Sequence, residues 1–95
     1  MPYDPKPIDT AGVTLNADVL ALTEHLSKHA HDIWSLQRLK DGWKLGSQRD
    51  DARKEHPCLV AYEELPDSEK QYDRNAAMQT LKAIIALGYR IEKGK

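Results

Sequence analysis

Apolar residues recur at three- and four-residue spacing through Leu15, Val19, Leu22, Leu26, Ala30 and Ile33, which predicts one amphipathic helix. Asn16 is a good N-cap for it, and Gly42 supplies the stop, so the helix is expected to run to about Lys40. Arg38 and Lys40 then lie near the negative end of its dipole. A second helix is expected from Pro66, with Ser68-Glu69-Lys70-Gln71 as a capping box and Ala77, Met78, Leu81, Ile84 and Ile85 as its apolar stripe, ending at Gly88. The two stripes predict a core formed where the helices face each other.

The remaining segments lack helical periodicity. Three prolines in the first seven positions read as an extended arm over residues 1–15, with Tyr3, Ile8, Val13 and Leu15 apolar enough to dock on a surface. Between the helices, Trp43-Lys44-Leu45 and Leu59-Val60-Ala61-Tyr62 are expected as short extended pieces, paired with each other. Tyr89-Arg90-Ile91 is expected as a short strand, followed by a frayed tail over 92–95. The expected fold is mainly α, with two principal packed helices, short β-strands and long ordered loops.

Length and composition narrow the class. Ninety-five residues suit one domain over 1–95, and 40% apolar against 31% charged residues is too apolar for a disordered chain. A formal net charge of −1 gives no positive field to hold a nucleic-acid polymer or an anionic membrane surface. No apolar run approaches the roughly 20 residues that span a bilayer. The first residues are polar and proline-rich, unlike a secretory signal peptide. A single cysteine, Cys58, excludes an internal disulfide framework, so a soluble cytoplasmic protein is expected. Cys58, between Pro57 and Leu59, reads as a small buried apolar position.

Candidate chemistry concentrates in Gly42–Tyr62 and in the helix before it. At about 100° per residue, His31, Trp34 and Arg38 share a narrow sector, roughly 100° around from the Val19–Ile33 stripe. Trp34 fits either the margin of a core or the wall of a site. Trp43, beside Gly42 in a loop, has the same two readings. Two tryptophans can hold a planar ring, and Arg38, Arg49, Arg53 and Lys54 can meet phosphate or carboxylate oxygens. The same cations can instead pair with Asp50, Asp51 and Glu55 in a solvated network. His56 before Pro57 is expected to order the loop through a hydrogen bond. His25 and His29 are four apart, but no cysteine pair or HExxH motif accompanies them, so no metal site is expected. Nucleophile-elbow, P-loop and dinucleotide motifs are missing, and His31 and Asp32 point about 100° apart on a helix, so the chain is expected to be no enzyme and to need no cofactor.

Taken together, PYDPKPIDT, HDIWSLQRLKDGWKLG, RDDARKEHPCLVAYEELP and EKQYDRNAAMQTLKAIIALGYRI resemble the RyR domain, the repeat of ryanodine receptors that also occurs in single copies in prokaryotic and phage proteins. The resemblance runs from Pro2 to Ile91. It implies a mainly helical fold and, by similarity to a tandem pair that holds an adenine nucleotide, a ligand-binding role for Trp34, Arg38, Arg49 and Asp50. His31, Trp43, Asp51 and Lys54 lie in the same motifs and complete the candidate set. A single copy would pair as a homodimer to reproduce the tandem arrangement. The chain departs from the family pattern at His29, where asparagine is frequent, and at Leu45, where an aromatic is frequent. The expected function is a non-catalytic regulatory module that senses a nucleotide or nucleotide-derived molecule. The alternative is a protein-interaction or structural module whose motif loops brace the fold.

Overall fold

In the computed structural model, residues 3–94 are described; Met1, Pro2 and Lys95, at the ends of the expected arm and tail, lie outside them. Two helices dominate: α1 spans Ala17–Lys40 and α2 spans Asp67–Ala86, packed against each other. The boundaries of α1 follow from local chemistry. The Asn16 side chain accepts from the Val19 amide at 2.9 Å, satisfying one of the helix's free donors. At the other end Gly42 turns the chain at φ +90°, a conformation that glycine adopts without strain.

Between the helices the strands pair differently from expectation. β1 (Lys44–Leu45) runs parallel to β2 (Glu55–His56), with Lys44 opposite Glu55 and Leu45 opposite His56. The 59–62 segment takes no part, and Tyr62–Glu64 forms a 3-10 turn against α1. The partner changes because the charged run folds on itself. Asp50 and Glu55 exchange both backbone hydrogen bonds at 2.9 Å, and Asp50 Oδ1 accepts from the Arg53 amide at 3.1 Å. That tight turn returns the chain to β1 before it reaches Leu59. Gly46 is needed where the two segments meet, since a Cβ there would lie 2.6 Å from the Glu55 Cβ.

Two other expectations fail locally. Pro66 is the N-cap of α2 and no side chain caps it, so Ser68 already lies inside the helix and forms no capping box. Residues 89–91 form no strand. Among α2 residues, Leu81 is buried and Ala77, Met78, Ile84 and Ile85 are half-buried, as their spacing predicts.

The orientation of α1 is the larger difference. Its buried residues are Val19, Thr23, Ser27 and His31, with Ser27 fully buried. The leucine stripe lies to one side of this line, leaving Leu22 and Ile33 exposed. Three contacts rotate the helix. Tyr62, buried in the 3-10 turn, donates its hydroxyl to Glu24 at 3.0 Å. Arg74 of α2 grips the same carboxylate through Nε at 2.7 Å and Nη2 at 3.1 Å. His31 donates Nε2 to the Val60 carbonyl at 2.7 Å. Ser27 returns its hydroxyl to the Thr23 carbonyl at 2.7 Å, so it is buried without losing a hydrogen bond. The Thr23 hydroxyl is buried with no partner among the described residues. The N-terminal arm reaches α2 through a hydrogen bond from Thr10 to Gln79 at 2.8 Å.

Candidate ligand-binding site

Trp34 stands near the C-terminal end of the inward face of α1, and the end of the helix and its following loop gather around it. His31 stacks on it with ring centres 5.6 Å apart, and His56 of β2 meets its edge at 4.9 Å. Trp43 enters from the loop because its amide donates to the Arg38 carbonyl at 2.9 Å, closing the end of α1 across the Gly42 turn. The Arg38 guanidinium then lies 4.5 Å from the Trp43 ring centre and 5.4 Å from that of Trp34. His56 also reaches both rings, at 4.9 and 6.3 Å. The two indoles therefore share a cation and an imidazole, and form no empty slot between them.

Arg38 is half-buried and, among the described residues, has neither an ion-pair partner nor a hydrogen-bond acceptor for its guanidinium. A guanidinium carries five donors, so this group is held in place by cation–π contacts with its polar valences unspent. The other loop cations are engaged. Arg49 pairs with Asp51 at 2.9 Å, which holds the Asp51 carboxyl below its ordinary range. Arg53 lies 3.9 Å from Asp50. Lys54, at φ +53°, donates its ammonium to the Asp41 carbonyl at 2.8 Å and so closes the loop onto the end of α1. Asp50 is committed to its own turn through the Arg53 amide. His31 is buried and spent on Val60.

His56 orders its loop by accepting the Cys58 amide at Nδ1, 3.1 Å away. Neutral His56 therefore carries its proton on Nε2, and protonating Nδ1 would break that bond. Burial, reinforced by Arg38 and Arg49, lowers its pKa below the ordinary value of 6.5. Burial likewise pushes the Cys58 thiol up, as expected for a small packed residue and not a reactive one.

On the α2 side of Trp34 and His56 lies an open cleft of about 240 Å³ with Leu65 and Tyr72 among its walls. Glu69 and Asp73, one helical turn apart on α2, place two carboxylates in it. Burial and the neighbouring Glu69 raise the pKa of Asp73. The site thus carries both signs of charge: Arg38, Arg49, Asp51 and Glu69 act on His56, and Glu69 and Asp73 share the walls of the cleft with it. Sequence reasoning missed Glu69, Tyr72 and Asp73. Their i, i+4 spacing was visible, but nothing in the sequence placed that face beside Trp34.

Among the described residues no group of histidines, cysteines and carboxylates is arranged to hold a metal, and no helix is long and apolar enough to cross a membrane. A comparison with protein-family profiles matches the RyR domain over residues 3–93, nearly the whole chain. The chain belongs to the RyR domain family. The match spans both helices and the whole Gly42–Tyr62 segment, so the residues around Trp34 lie within the matched RyR domain.

Proposed function

We propose that this RyR domain is a non-catalytic, regulatory ligand-binding module for a small molecule with an anionic group and a planar, amino-bearing ring, as in a nucleotide. The observation that carries this reading is Arg38, a half-buried cation set against two tryptophans with no acceptor among the described residues. An incoming phosphate or carboxylate would satisfy its donors in a partly desolvated place, where charge-assisted hydrogen bonds are strongest. Arg49, close enough to act on His56, adds a second cation at the cost of loosening its Asp51 pair. The cleft beyond Trp34 supplies an aromatic wall and two carboxylate acceptors suited to ring amino groups. Trp34 and Trp43 serve as wall and platform, whereas His31, Asp50 and Lys54 hold the loop that presents them. Asp51 sets Arg49.

Tryptophan fluorescence and calorimetry with adenine nucleotides, cyclic dinucleotides and ADP-ribose test this directly. Saturable binding by at least one is expected, lost by tenfold or more in Arg38→Ala, where a charged hydrogen bond of about 1.5–3 kcal/mol disappears. Arg53→Ala, a substitution at an exposed and self-paired position, should leave binding unchanged. A folded protein that binds none of these ligands, or an Arg38→Ala variant that binds as tightly as the parent, overturns the reading.

A further inference from the structure

The outer face of α1 carries a pattern that one copy of the chain leaves unused. Val19, Leu22, Leu26, His29, Ile33 and Leu36 alternate in steps of three and four, the seven-residue repeat of a helix seam that packs against another helix. Val19 is buried and Leu26 half-buried within the chain, whereas Leu22 is 38%, Ile33 53% and Leu36 60% exposed. The molecule as a whole is under-buried. Its accessible surface is 7552 Å², whereas a compact protein of 10.8 kDa exposes about 5,500 Å². Its radius of gyration is 16.3 Å and its thinnest dimension 23 Å, against a radius of about 12 Å for a compact chain of this length. The extended arm and tail account for part of the excess of about 2,000 Å². An interface removes about 800 Å² from each partner, less than half of this excess.

We infer that two copies of this chain pair antiparallel through the outer faces of their α1 helices, about a two-fold axis near His29. The seam is complementary to itself in that direction. With the axis at His29, Leu22 comes opposite Leu36 of the second copy and Leu26 comes within one residue of its Ile33. Asp18 in the first turn meets Lys40 in the last, and the two helix dipoles oppose. Parallel pairing would instead set Asp18 against Asp18 and Lys40 against Lys40. A cavity of about 310 Å³ lies beside Leu22, lined by Asp18, Val19, His25 and, from the C-terminal segment, Ile91. Leu36 of the second copy, directly opposite, fills it. His29, polar in the middle of an apolar seam, costs stability and fixes the register. Arg38 and Trp34 project more than about 100° around α1 from this seam. Pairing therefore leaves the candidate ligand site open, and the two proposals stand or fall separately.

Sedimentation equilibrium of the full chain, from micromolar to millimolar concentration, is expected to give twice the chain mass. The Ile33→Glu/Leu36→Glu double variant should give a single chain mass with an unchanged helical circular-dichroism spectrum. In a Cys58→Ser background, mixing Leu22→Cys with Leu36→Cys should yield a mixed disulfide on mild oxidation. A chain that stays monomeric throughout, a double variant that still dimerises, or cross-linking only between like variants overturns the proposal.

Discussion

Along α1, Ser27 and Ile33 lie less than two turns apart and meet opposite environments. Ser27 is fully buried and Ile33 is half in water. The inward face, Val19-Thr23-Ser27-His31, is mostly small or polar, while the outward face is mostly leucine and isoleucine. The inward face is chosen by directional contacts: the Glu24 carboxylate between Tyr62 and Arg74, and His31 on Val60. Each of these has one geometry, whereas a leucine stripe is satisfied by any apolar cover. What the difference teaches is that apolar periodicity marks surface to be covered, without saying by what.

Substitutions on the two faces test this most sharply at Ser27. Ser27→Leu forces a large side chain into a site with no room, and a loss of about 3 kcal/mol or outright unfolding is expected in urea titration. If the variant is as stable as the parent, the inward face is not the packed one. His31→Ala removes the Val60 hydrogen bond and the packing of a buried ring, so a loss of about 2 kcal/mol is expected by the same measurement.

At the end of the inward face, His56 makes stability depend on pH. Its folded pKa is lowered, so the unfolded chain takes up the proton first. The stabilisation is fully present above pH 6.5, the ordinary value, and is lost as pH falls below it. Thermal melts should show a decline beginning there, and His56→Gln should flatten that step. A melting temperature that rises on acidification through this window would contradict the packing around Trp34. Glu24, held below its ordinary range chiefly by the Arg74 hydrogen bond, adds a further loss at more acid pH.

Ile33→Ser is the smallest expected effect. In dilute protein it should change unfolding stability by no more than about 0.5 kcal/mol, as for an ordinary surface substitution. A loss comparable to that of Ser27→Leu would show that the outward face is covered within a single chain.

Much of the candidate site was legible because its residues are local in sequence. Trp34 and Arg38 are one helical turn apart, and Gly42-Trp43 follows at once, so periodicity alone gathers them. The His56 hydrogen bond was anticipated from its place before Pro57. The status of the charged run was not. Only the turn at Asp50–Glu55 separates Arg49, Arg53 and Lys54, which are engaged, from Arg38, which is free of any described acceptor. Glu69 and Asp73 were invisible as site residues because they reach Trp34 across a long-range packing contact.

By itself the sequence determined the two helices, their ends at Asn16, Gly42, Pro66 and Gly88, and membership of the RyR domain family, since capping, helical period and motif are short-range properties. Tertiary structure alone decided the rotation of α1, the pairing of β1 with β2 and the charged surroundings of Trp34. None of these follows from the local apolar pattern: the first rests on side-chain bonds to Arg74, Tyr62 and Val60, the second on the turn that Asp50 and Glu55 close, and the third on the packing of α2.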